Sequence, residues 1–140
     1  MAIDLTDRER ALAAFISALA THPMVWGQSD CVMMAADWIR SRGHPDPAEP
    51  YRGRYKTELG CARLLTKAGG VLAIMQSGAA RIGLQITDAP QVGDVGCIMV
   101  ITPSGRSSEA GALCDGRLWV TMGRAGILAA SVAPLRAWRV

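Results

Sequence analysis

Cys31 is the residue in this chain whose type and setting best suit a nucleophile. It follows Asp30 in the stretch WGQSDCVMMAADWIRSRG, Trp26 to Gly43, at what reads as the first turn of a helix. A helix start offers unpaired backbone N–H groups and the positive end of the helix dipole. A thiol placed there ionises more easily, and the thiolate is the attacking form. The same N–H groups can hold the oxyanion of a tetrahedral intermediate. The chemistry this position suits is that of a cysteine peptidase. A plainer reading competes with it: Cys is a common small core residue, and Cys31 only packs. Gln28 could help form an oxyanion hole or simply make a turn. Asp30 could orient a catalytic group or cap the helix.

A thiol nucleophile of this kind needs a base. The chain has two histidines, and none after His44. His22 lies nine residues before Cys31, in the connection from the preceding helix. His44 lies beyond the Cys31 helix, about 20 Å from its start at 1.5 Å per residue. Each also reads as an ordinary loop histidine.

The elements that must position these residues are legible. In LTDRERALAAFISALA, Thr6 and Glu9 have capping-box spacing, and Leu12, Phe15, Ile16 and Leu19 recur on one helical face. His22-Pro23 ends that helix. Ser29 or Asp30 caps the second helix, and Gly43 stands where a left-handed residue would close it. The Pro-rich stretch HPDPAEPYRGRYKT reads as a long ordered loop anchored by Tyr51 and Tyr55. Thr57 caps a third helix that Gly69-Gly70 closes, and a short fourth helix follows. From Gly93 the pattern changes to short apolar runs: DVGCIMVIT, EAGALC, RLWVTM, GILAAS and LRAWRV. CDGR marks a tight turn between two of them. The expectation is one α+β domain over residues 1–140, with a helical half over 1–80 and a small antiparallel sheet or half-barrel over 93–140.

Composition narrows the class. The chain has 140 residues, half of them apolar, enough for one core and no second domain. Its net charge of +3 is spread over scattered Lys and Arg, which argues against a nucleic-acid surface. Cys31, Cys61, Cys97 and Cys114 are irregularly spaced, with no C-x-x-C and no Cys/His cluster, so neither a metal site, a cofactor nor a disulfide scaffold is expected. No signal peptide and no membrane-inserting run is read from the sequence. Asp94 reads as a turn and strand-start residue. Trp26, Trp38, Trp119 and Trp138 read as core anchors, and Arg52-Gly53-Arg54 as a solvated loop that could meet an anionic polymer.

The ordered set WGQSDC, AADWIRSRGHPDP, YRGRY, a helix ending in GG, GDV and a closing AWRV resembles the NlpC-type papain-like cysteine peptidases. The likeness is closest to the branch found in phage, prophage and gene-transfer-agent tail clusters. The pieces span nearly the whole chain. The resemblance implies a papain-like fold, with Cys31 in the place of the nucleophile and Gly93-Asp94 leading into the sheet. In the resembling enzymes a His opens the following strand, just before x-Gly and an apolar residue. Here Glu109 occupies that place, ahead of Ala110-Gly111-Ala112, and the third catalytic position falls at Val120 or Thr121. A carboxylate that ionises near pH 4 is a poor base for a thiol near 8.5.

The resemblance therefore implies a component of a phage-like tail tip or hub, derived from a cell-wall peptidase and catalytically degenerate. Its partners would be tail hub and baseplate proteins, with peptidoglycan as a further contact. It would be made in the bacterial cytoplasm and carried in the virion. Two alternatives stand beside this reading. One is an active peptidoglycan endopeptidase or amidase acting during genome entry, with Cys31 as nucleophile and His22 or a partner chain supplying the base. The other is a tail-assembly factor that never enters the particle.

Overall fold

A computed structural model of the chain describes residues 2–140, with side chains from residue 7 onward. Four helices precede five strands: α1 (Ala2–Ala20), α2 (Cys31–Ser41), α3 (Glu58–Ala68), α4 (Val71–Ile82), β1 (Val95–Ile101), β2 (Ser107–Cys114), β3 (Trp119–Gly123), β4 (Gly126–Ala130) and β5 (Arg136–Trp138). The sheet runs β4-β3-β2-β1-β5, with every pairing antiparallel. The α+β layout and all five expected strand segments are present.

Local sequence explains most of the boundaries. Asp30, not Ser29, caps α2: its carboxylate accepts from the Val32 and Met33 N–H groups at 3.1 and 3.0 Å. The Ser29 hydroxyl instead accepts from Val25 N–H and donates to the Pro23 carbonyl, tightening the preceding turn. Gly43, at φ +96°, lets the chain leave α2 in a left-handed conformation. Thr57 caps α3 through Gly60 N–H at 3.0 Å. Asp115 accepts from Arg117 and Leu118 N–H in the β2–β3 turn that CDGR announces. One boundary differs. α1 already begins at Ala2, so the Thr6–Glu9 spacing does not mark its start, and the Thr6 side chain lies outside the described residues.

α2 is buried on nearly every side, with Met33, Met34, Ala35, Ala36, Trp38 and Ile39 all out of solvent. It lies between the sheet and the 45–55 loop. One core, holding Leu12, Met34, Trp38, Val71, Val95, Cys97, Leu113 and Trp138 among others, joins α1, α2 and α4 to the helix-facing side of the sheet. A second, of Ile98, Ala110, Ala112, Cys114, Trp119 and Ala137, covers the opposite side. A third wedges Met33 and Ala36 against Ala48 and Tyr55 in the loop. That loop is ordered as expected: Gly78 of α4 lies against Pro47, and Arg81 donates to the Pro47 carbonyl.

Arg52 departs from the solvated-loop expectation. Its guanidinium is held by Asp46 at 2.8 Å and Asp37 at 2.9 Å, so it ties the loop to α2 and is not free to meet a polymer. Arg54 stays exposed. Of the tryptophans, Trp38, Trp119 and Trp138 are buried anchors, and Trp26 is half-buried at the edge of the third cluster.

Candidate functional site

Cys31 is the first residue of α2, immediately after its cap. β2 crosses this helix start at Gly111. A Cβ built on Gly111 would stand 2.8 Å from the Cys31 carbonyl oxygen, so only glycine admits the helix at this distance. The backbone N–H groups of Gly111 and Val32 point at the Cys31 sulfur and favour its thiolate. Burial opposes them and prevails, with the Asp30 charge adding to it, and the thiol is pushed up to about 12. Only the Val32 N–H belongs to the helix start, where it also donates to the capping Asp30; the Gly111 N–H comes from β2. Desolvation and the capping carboxylate outweigh them.

Asp30 is a structural residue on this geometry. Besides Val32 and Met33, its carboxylate accepts from Gly27 N–H at 2.9 Å and from the Tyr55 hydroxyl. Each oxygen therefore has two donors. Burial and the Asp30 charge push the Tyr55 phenol well above its ordinary value, keeping it a donor. Gly27, at φ +77°, packs directly on the Tyr55 backbone, and Gly53 N–H donates to the Gly27 carbonyl at 2.9 Å. WGQSDC and YRGRY are thus two halves of one contact. Gln28 sits in its turn, exposed, with its N–H bonded to Val25.

Glu109 lies on β2 two residues before Gly111, as the resemblance required of the residue in the histidine's place. Its side chain turns away to α4. The Oε1 atom accepts from Leu72 N–H at 3.2 Å and lies against Gly70, whose missing side chain leaves α4 without a cap of its own. A carboxylate at a helix start is favoured by the dipole. The thiol that feels Glu109 is Cys97, which burial and then Glu109 push up to about 12. Thr121, one of the two residues where the resemblance leads us to expect a third catalytic group, donates to the Gly111 carbonyl at 2.7 Å. Val120 is buried and apolar.

The histidines are engaged elsewhere. His22 is exposed at the end of α1, its Nδ1 bonded to the Ala18 carbonyl at 2.8 Å and close to the Thr21 hydroxyl. No hydrogen bond joins His22 or His44 to Cys31 among the described residues. Neither histidine is among the main influences on the Cys31 thiol.

A second buried polar centre was not foreseen in its extent. Asp94 is wholly buried and meets Arg8 at 3.1 Å and Arg139 at 3.2 Å, while Gln91 and Val140 N–H donate to it. Arg8 also donates to the carbonyls of Val92 and Val140, and Trp38 Nε1 donates to the Gly93 carbonyl at 2.7 Å. AADWIR, GDV and AWRV therefore converge on one point far apart in sequence. The sequence signal was present, since an Asp between two Gly-flanked apolar runs and paired arginines near both ends of the chain are visible. Their meeting is not.

Two cavities stand out, and neither is lined by Cys31. One, of about 30 Å³, is an apolar void between α2 and α4 beside Trp138. The other, of about 330 Å³, is a groove at β5 between Ile86, Pro90, Pro134 and Leu135. Among the described residues no group of His, Cys, Asp or Glu is arranged to hold a metal ion, and no helix is long and apolar enough to cross a membrane.

The chain belongs to the family described as "Domain of unknown function (DUF6950)", whose family model matches residues 4–140. No curated protein and no solved structure matches it.

Proposed function

We infer that the chain is a papain-like domain of NlpC type that has lost peptidase chemistry and serves as a structural component of a phage-type tail tip or hub. The observation that carries the loss of chemistry is the division of labour on β2. Gly111 meets Cys31, and Glu109, in the histidine's place, is committed to the start of α4. A protonated thiol beside a capping carboxylate, with no base bonded to it, does not attack an amide. The tail setting rests on the ordered motifs. Their residues now have structural work to do: Asp30 with Tyr55, and Asp94 with Arg8, Trp38 and Arg139. These contacts support a fold that keeps its architecture without needing its reaction. Tail hub and baseplate proteins are the partners this reading calls for.

The rival with support of its own is an active wall peptidase. The Gly111 and Val32 N–H groups aimed at the Cys31 sulfur favour it. Purified protein incubated with cell-wall sacculi separates the two. No muropeptide release is expected; release that Cys31→Ala abolishes would overturn the structural reading. Mass spectrometry of purified particles is expected to find the chain, and its absence there would favour an assembly factor.

A further inference from the structure

The two edges of the sheet are treated differently. β5 is three residues long, carries Arg136, and is covered by the chain's own 85–87 segment. Ile86 bridges Trp138, Thr87 N–H donates to the Ala137 carbonyl, and Gln85 accepts from Arg139 N–H. β4, at the other edge, has five residues, GILAA, with no charge and no proline; α1 packs against it, and among the described residues its backbone makes no hydrogen bond beyond its pairing with β3. Proteins ordinarily blunt such an edge with a charge, a proline, a bulge or a cover.

The register says which groups β4 offers. A two-residue loop, Arg124-Ala125, joins it to β3, so Gly123 and Gly126 are the hydrogen-bonded closing pair. Antiparallel pairs alternate, so Leu128 and Ala130 bond inward to Thr121 and Trp119. The N–H and C=O groups of Ile127 and Ala129 therefore point outward. The Ile127 side chain packs into the core and fixes the strand, while Leu128 is 50% exposed on the other face.

We propose that β4 pairs antiparallel with β4 of a second copy of this chain, about a two-fold axis at Leu128. The occupant is argued from self-complementarity. In that register Ile127 and Ala129 of each copy face Ala129 and Ile127 of the other and exchange backbone hydrogen bonds in both directions. Leu128 meets Leu128 side by side as a non-bonded pair, where side chains approach most closely. No charge lies within the strand, so none is opposed by its like. A short strand pair buries less than the roughly 1,200 Å² of a stable interface, so the dimer is a weak, concentration-dependent one. The proposal does not depend on the tail assignment.

Sedimentation of the full chain across about 1–200 μM tests it. The wild type is expected to shift from monomer to dimer as concentration rises. Leu128→Lys sets like charges opposite one another on an exposed site and is expected to weaken association at least about tenfold. Ala129→Pro, which removes an outward N–H, is expected to do the same. Circular dichroism verifies that each variant is folded, and Leu128→Lys alone suffices if the proline variant is not. A wild type that stays monomeric throughout, or a folded Leu128→Lys that dimerises equally well, overturns the proposal.

Discussion

Gly111 touches Cys31 backbone to backbone: a side chain there would have its first carbon 2.8 Å from the Cys31 carbonyl oxygen. This contact sets how deeply α2 seats on the sheet. It brings the Gly111 N–H to the sulfur, and it removes any β2 side chain from the place directly over Cys31. Gly111→Ala is therefore expected to destabilise the fold by about 1–3 kcal/mol through overpacking. Gly123→Ala, in the same sheet but facing open space, is expected to change stability by less than about 0.5 kcal/mol. Urea denaturation of the two variants is the measurement, and equal effects would refute the tight-contact account.

Asp30 and Tyr55 form a coupled pair. Asp30→Ala removes a helix cap and leaves buried N–H groups and the Tyr55 hydroxyl without an acceptor, so a loss of about 2 kcal/mol or more is expected. Tyr55→Phe is expected to cost about 1 kcal/mol. The double variant should fall short of the sum, because each change removes the same bond. Strict additivity in a double-mutant cycle would show that the bond contributes nothing.

Glu109→Ala is expected to cost about 1 kcal/mol by stripping α4 of its borrowed cap. It should leave the alkylation rate of Cys31 nearly unchanged, because this carboxylate is bonded to the start of α4 and not to the thiol. Glu109→His is expected to yield no wall-degrading activity. A faster-reacting Cys31 in the alanine variant would place Glu109 in the thiol's own environment.

The thiols set the alkaline limit of stability. In the unfolded chain a thiol loses its proton near 9, whereas burial holds Cys31 and Cys97 to about 12 and Cys61 to about 11. Between these values the unfolded state binds fewer protons than the folded state, so stability falls as pH rises. The contribution is fully present below pH 9 and is lost through the window from 9 to about 12. Denaturation midpoints measured from pH 7 to pH 11 should decline above 9. At pH 7.5, peptide mapping should show native Cys31 alkylated at least about tenfold more slowly by iodoacetamide than in the unfolded chain.

Asp94→Ala leaves the Arg8 guanidinium, 18% exposed, beside a buried gap, and is expected to cost about 3–5 kcal/mol. Removing the Arg8 charge as well, with Arg8→Met added to Asp94→Ala, should recover part of that loss, since the remaining Arg139 is half-exposed. Thermal unfolding of the single and double variants checks this. A double variant worse than the single would mean that Arg8 acts mainly through its carbonyl contacts with Val92 and Val140.

Local physics made much of this legible in the sequence. The Asp30 cap, the Thr57 cap, the closing glycines and the CDGR turn each act within a few residues of themselves, so spacing reveals them. The strand segments were legible because turn residues bracket each one. What could not be read were the pairings across the chain. Glu109 serves a helix 37 residues away, and nothing in EAGALC announces that its carboxylate reaches the start of α4. Arg52 looked free because its two carboxylates are set by how the loop folds back on α2. Periodicity carries no record of such encounters. The helix that begins at Ala2 likewise ignores a capping signature within it, because helix content depends on the sum of contacts along a face.

The Arg8 guanidinium finds its acceptors at Val92, Asp94 and Val140, 84, 86 and 132 residues later. During translation at about 5–20 residues per second, α1 therefore waits on the order of ten seconds for the groups that seat it. Until residue 140 has been made, its apolar stripe has only part of its partner surface. Before those groups emerge, the start of the nascent chain is more open to proteases and to chaperone capture than the finished fold.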